Sequence, residues 1–220
     1  MVIAIIAILA GLLLPVLSRA KDRSDRKECL SNLRQVGVAM SLCIDDNEQR
    51  FPDRRDLKTA LPGGWRPWSS WPPSDPRAGW ATIVLSNYIG NSDVWSCAGS
   101  RKPSFAGLIQ LKQQTSVNSN SVSARFWMWR FDRADDPVPL DNFWGKTESQ
   151  AIADLLAAKN PTAGNPGGAA DVELVVDGYF PATIPSVETS QQGRSVHKGG
   201  RNRLFMDGHG AFLRDARTQR

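Results

Sequence analysis

What most limits the folds open to this chain is how it begins. Residues 1–17 (MVIAIIAILAGLLLPVL) carry no charge and almost no polar atom, so their side chains gain by leaving water. The sequence then turns basic, with Arg19, Lys21, Arg23, Arg26 and Lys27 in close succession. From Cys29 onward it is amphipathic. Cys29, Leu33, Val36, Met40, Cys43 and Ile44 recur at three- and four-residue steps, which stacks them on one helical face. Gly37 is the only glycine between Ser18 and Ile44, and no proline interrupts that run. The pattern predicts one long helix, its first part sheltered in lipid and its second part packed on a soluble domain.

At about 1.5 Å per residue, residues 1–17 reach roughly 25 Å, just under the ~30 Å hydrocarbon core of a bilayer. A secretory signal peptide competes with a membrane anchor for such a segment. Here no basic region precedes Val2, and Pro15-Val16-Leu17-Ser18-Arg19 lacks a small-x-small cleavage pattern, so the anchor is the expectation. Pro15 would kink the helix, which helices in lipid tolerate.

The stretch VIAIIAILAGLLLPVLSRAK, continued by CLSNLRQVGVAMSLCIDDNEQRFP, resembles the N-terminal segment of type IV pilin-like and type II secretion pseudopilin-like proteins. The resemblance implies a basic leader and a Gly-Phe-Thr-Leu-Ile-Glu cleavage motif upstream of Met1, cut by a prepilin peptidase whose site this chain does not contain. It also implies an inner-membrane protein with its globular domain outside the cytoplasm, as a membrane-held subunit or in a cell-surface or periplasmic filament. The positive-inside rule, applied to the basic flank alone, would give the opposite orientation.

The chain has 220 residues, and those beyond the first helix suffice for one domain. The division expected is 1–17 as the transmembrane half of the helix, 18–50 as its amphipathic half, and 51–220 as the head. The net charge of +5 rests partly on the juxtamembrane cluster, which reads as a collar for lipid headgroups. No nucleic-acid-binding motif accompanies it. Three cysteines allow one bridge at most. Cys29 and Cys43 lie roughly 21 Å apart along one helix, far beyond the ~7 Å limit for bridged Cα atoms. Cys97 is therefore the partner for either. Cys29 is expected to take it in an oxidising compartment, because Cys43 fits the core stripe.

Residues 45–52 (DDNEQRFP) read as the helix exit. The Pro/Trp-rich stretch 53–80 reads as a loop, whose Trp65, Trp68, Trp71 and Trp80 could serve as a sugar-stacking ligand platform or cap a small core. Residues 81–88 fit a short helix or a buried strand; the family likeness favours a helix beside the long one. Residues 101–124 read as loop. The alternation in RFWMWRF (125–131) predicts a strand apolar on both faces. Thr147 and Gln150 form a capping box that opens a helix through about Ala158, with Ile152, Leu155 and Leu156 inward. Residues 172–180 read as a strand. No P-loop, EF-hand, C-x-x-C, zincin or nucleophile-elbow spacing occurs.

The last specific signal is SVHKGGRNRLFMDGHGAFL. Asp207-Gly208 lies between apolar triplets and predicts a type I′ hairpin turn. His197, Asp207, His209 and Asp177 could also form a metal site or supply a general base, although no fixed ligand spacing supports either. The segment resembles the H-x(9)-D-G region at the C-terminus of many prepilin-type proteins. That likeness makes His197, Asp207, Gly208 and His209 structural motif residues, with Phe205 and Asn202 fitting and Gly210 replacing a larger residue. The expected fold is α+β and pilin-like, a long helix packed on a small antiparallel sheet with loop insertions. The expected role is a non-enzymatic filament subunit, without cofactor or metal, that assembles with copies of itself or with other pilin-like subunits. A membrane-anchored carbohydrate-binding or adhesion module, using the tryptophan loop, is the alternative. A secreted hydrolase built on His197, Asp207 and Asp177 is a third.

Overall fold

A computed structural model describes residues 2–161 and 164–218. Thr162 and Ala163 of the expected Gly/Pro loop, Met1 and the last two residues lie outside the described residues, as do the side chains of Val2, Ala4, Ile5, Ala7 and Ile8. The chain is α+β. Helix α1 (Val2–Asp46) runs without a break through Pro15. Its second half buries Cys29, Leu33, Val36, Met40 and Cys43 of the expected stripe, with Ala39 added, while Ile44 at its end is only half-buried. Its first half stands bare, with Leu9, Leu12, Leu13, Leu14, Val16 and Leu17 all more than half exposed. Among the described residues no helix is long and apolar enough to cross a membrane by itself.

The exit loop leads to α2 (Asp56–Ala60) and then to α3 (Gly79–Val84), α4 (Pro103–Ala106), and a hairpin of β1 (Gln113–Val117) and β2 (Asn120–Ala124). The hairpin corrects the loop expected over 101–124. Polar strands hid it: Gln113 and Thr115 are buried because each has a partner, the Gly79 N–H for Gln113 and the Thr82 hydroxyl for Thr115. Asn118 and Ser119 both have positive φ, which is the two-residue type I′ pattern. Helix α3 settles the choice left open over 81–88, and it packs on this hairpin.

The main sheet is antiparallel in the order β3 (Phe126–Trp127), β4 (Glu173–Asp177), β7 (Gly200–Phe205), β8 (Gly210–Arg214). A two-stranded ribbon pairs β5 (Tyr179–Phe180) with β6 (Arg194–Ser195). Two expected strands are shorter than predicted. After Trp127 the chain leaves β4, Met128 donates to the Pro76 carbonyl instead, and residues 129–131 close into a 3-10 turn. At Gly178 the second strand breaks into β4 and β5. A Cβ there would lie 1.9 Å from Leu111 Cδ2, so only glycine lets the strand pass. Helix α5 (Glu148–Ala158) has the predicted capping box. Leu155 is buried, whereas Leu156 is exposed rather than inward, because the face that meets the core runs through Ala151 and Leu155, one turn apart.

Glycines set how closely α1 approaches the sheet. Gly37 lies against Leu204, where a Cβ would come within 3.0 Å of both Leu204 methyls. Gly210 does the same for Leu30 and Arg34, and its carbonyl accepts from Arg34 at 3.1 Å. The small residue at 210 thus leaves β8 paired and makes room for the helix.

The turn at Asp207-Gly208 is not type I′. Only Gly208 has positive φ (+86°), and the Gly208 N–H donates to the Phe205 carbonyl. The Phe205 N–H donates in turn to His209, so the loop is a three-residue type I turn ending in a left-handed glycine. No atom lies within 4 Å of a Cβ placed on Gly208. Gly208→Val should therefore destabilise through backbone strain alone, by about 1–3 kcal/mol in urea unfolding. An unchanged midpoint would contradict that reading.

On α2, Lys58 is buried and donates to the carbonyls of Asp75 (2.7 Å) and Arg77 (3.0 Å). Burial lowers its pKa to about 8, against the pull of Asp75 and Asp132. Between about 8 and the ordinary 10.5, the unfolded chain holds a proton that the folded chain has lost. Stability should therefore rise with pH across that window, and Lys58→Met should flatten the rise. Urea titrations of both proteins at the two ends of the window check this; equal pH dependence would contradict it.

Candidate functional site

Among the described residues, helix α1 carries most of the exposed large apolar side chains. Below its bare apolar half, the outward face of the packed half still shows Val38 (63% exposed) and Leu42 (47%), one turn apart. The basic collar lies between the two halves, where Lys102 pairs with Asp22 (2.8 Å) and Arg101 with Glu28 (3.6 Å). The helix is fixed to the head by more than packing. Cys29 and Cys97 form a disulfide with Cα atoms 5.0 Å apart, and Asn202 Nδ2 on β7 donates to the Arg26 carbonyl at 3.0 Å. Arg26 lies over the Phe212 ring, 4.2 Å from its centroid. Cys43 remains a thiol; burial, with Asp46 adding to it, pushes its pKa up.

The H-x(9)-D-G residues divide into two groups at opposite ends of β7. His197 is buried, with Nε2 at 3.2 Å from Asp177 and 3.4 Å from the Cys97 sulfur. Asp207 and His209 sit at the exposed hairpin tip, where ring Nδ1 meets Oδ1 at 2.6 Å and the His209 ring stacks on Phe205. Burial pushes the Asp207 carboxyl up, but the backbone and side-chain hydrogen bonds from His209 and its nearby charge together outweigh that and hold it below its usual range. The metal set of His197, Asp177, Asp207 and His209 is therefore not assembled, since a whole strand separates its halves. Among the described residues the His197 ring meets the Asp177 carboxylate and a disulfide sulfur rather than a hydroxyl or free thiol, and the Ser195 hydroxyl donates instead to the His197 backbone carbonyl.

The four loop tryptophans do not form one platform. Trp80 lies in the core between Phe131 and Trp144, with ring centroids 4.8 and 4.6 Å away, and Trp68 is buried under Arg77. Trp65 is 38% exposed and donates to the Asp132 carbonyl. Trp71 faces a cavity of about 380 Å³ together with Trp129, Tyr179, Arg201 and Arg203. The Trp71 and Trp129 rings are 5.7 Å apart, and Arg201 stacks on Tyr179 at 3.7 Å. Glu173 holds both arginines, at 3.8 Å (Arg201) and 3.2 Å (Arg203). Trp129 entered this cavity because the chain turns after β3; strand alternation alone placed it in a core strand.

Comparison with known proteins adds no relative: no family model, curated protein or solved structure matches this chain.

Proposed function

We propose that this chain is a structural subunit of a type IV pilus-like filament or a type II secretion pseudopilus, assembled helix against helix. One observation carries the reading: α1 is a single continuous helix, part of it built into a domain and part of it apolar and bare. A contiguous exposed apolar surface of this kind calls for a partner. Its reach of roughly 25 Å is shelter enough in the outer part of a bilayer or among neighbouring helices of a filament. Val38 and Leu42 extend the same helix–helix surface past the collar, where lipid ends. In this reading the head lies outside the inner membrane, where the Cys29–Cys97 bridge is stable, and a prepilin peptidase acts on a longer precursor. The role needs no catalytic residue. Removing residues 1–18 should leave a folded head that no longer floats with lipid vesicles or self-associates. A head that keeps both properties would defeat the proposal.

The cavity supports a second role for the head, as a glycan-binding module. Two indole faces, an arginine-capped tyrosine and a carboxylate offer stacking surfaces and bidentate partners for sugar hydroxyls. Titration of the head with an oligosaccharide panel, read by tryptophan fluorescence, tests it. Loss of the response in Trp129→Ala supports the reading, and no response from any sugar removes it.

A further inference from the structure

We propose that the buried group behind α1 is a redox-gated metal site: when the Cys29–Cys97 bridge is reduced, both thiolates, the His197 ring and the Asp177 carboxylate take up one zinc-like divalent cation. The inference is independent of the filament reading. Four chain segments, α1, the loop before α4, the end of β4 and the loop before β7, each bring one ligand atom to this point. All four atoms lie within 4.8 Å of one another. Donor atoms on a tetrahedral zinc stand about 3.3–3.8 Å apart. Two edges of that figure already exist, His197 Nε2 to Asp177 Oδ2 at 3.2 Å and to the Cys97 sulfur at 3.4 Å.

A second observation points to a cation. Asp177 is 1% exposed, yet its Oδ1 has no hydrogen-bond partner. Its Oδ2, the oxygen 3.2 Å from His197 Nε2, also accepts from the Asn202 backbone N–H at 3.1 Å, which fixes the carboxylate beside the ring and the bridge. A buried carboxylate left this way is unfavourable unless a positive charge completes it. The backbone beside the group is shaped for close approach. A Cβ on Gly99 would lie 3.2 Å from the His197 ring and 2.7 Å from the Val196 carbonyl, so glycine there lets the Cys97 turn reach the histidine.

The chemistry balances. A dithiol reductant gives two electrons and two protons to the bridge and leaves as its own disulfide, so the S–S bond becomes two thiols. The metal ion then displaces both thiol protons to solvent and accepts four lone pairs, two from thiolate sulfur, one from Nε2 and one from carboxylate oxygen. Two sulfurs, one imidazole and one carboxylate favour zinc over calcium or magnesium. Three anionic ligands around a doubly charged ion leave one net negative charge. The neighbouring hollow of about 200 Å³, which His197 also lines, offsets it with Arg19, Arg23, Arg26 and Lys198 against Asp22 alone.

The test uses the full chain in detergent, reduced with a phosphine, freed of metal and titrated anaerobically with Co²⁺ alone. One Co²⁺ per chain is expected, with thiolate charge-transfer absorption and tetrahedral visible bands, whereas the unreduced protein gives neither. Cys97→Ser should lose the charge-transfer absorption. Asp177→Asn should weaken binding by about tenfold or more while keeping the sulfur signature. If the reduced chain loses its near-ultraviolet dichroism, the titration should restore it. No stoichiometric uptake by the reduced chain, no restored fold, or uptake undiminished in Cys97→Ser overturns the proposal.

Discussion

Reducing the Cys29–Cys97 bridge, with a chelator present to exclude metal, should lower the unfolding free energy by about 4 kcal/mol. The bridge spans 68 residues of sequence, and closing a loop of that length removes a large share of the unfolded chain's freedom. Both sulfurs are buried, so reduction also leaves two thiols in a core shaped around one bond. The bridge joins α1 to the loop before α4, which means that the loss falls where the helix meets the head. Paired guanidinium titrations of the oxidised and the reduced, chelated protein measure it. A difference under 1 kcal/mol would mean that packing along β7 holds the helix without help.

Trp80→Ala should cost about 3–5 kcal/mol, the usual range for emptying a buried aromatic site. Trp80 is fully buried and packs against Phe131 and Trp144, themselves buried. Trp129→Ala removes a ring that is only half-buried and faces the cavity, so it should be milder. Thermal unfolding of the two variants separates core from cavity. Equal losses would contradict the division of the tryptophans drawn from the packing.

The stripe from Cys29 to Cys43 was legible in the sequence because its period follows from helix geometry alone, and the capping box at Thr147 because it needs only its own turn. Leu156 was misplaced, since which of two adjacent leucines turns inward depends on what the helix packs against. The β1–β2 hairpin was missed for a physical reason: buried Gln113 and Thr115 are satisfied by α3, a tertiary fact that no local pattern carries. Conversely, positive φ was expected at both Asp207 and Gly208 but is found at Gly208 alone, because one extra loop residue, Met206, changes the turn type. Of the candidate sites, reach along a helix excluded only a Cys29–Cys43 bridge, and the place of Cys43 in the core stripe pointed to the Cys29–Cys97 pairing that is found. The approach of His197 and Asp177 to that bridge could not be reasoned so, because it depends on how β4 and β7 align. The cavity had the same obstacle: Trp71, Trp129 and Tyr179 come from three separate segments, and only the fold joins them.

The central claim is that the bare half of α1 is a helix–helix surface. A photoreactive phenylalanine in place of Leu13, irradiated in intact membranes of cells producing the full chain, tests it most directly. Leu13 is 64% exposed and sits mid-segment, so a neighbouring subunit in an assembly should lie within reach of the probe. The account predicts a ladder of adducts at multiples of about 24.2 kDa, or adducts with other subunits of the same helical type, and its loss when Leu9 and Leu17 are both changed to Lys. A probe that labels lipid alone, with no protein adduct, would contradict the account.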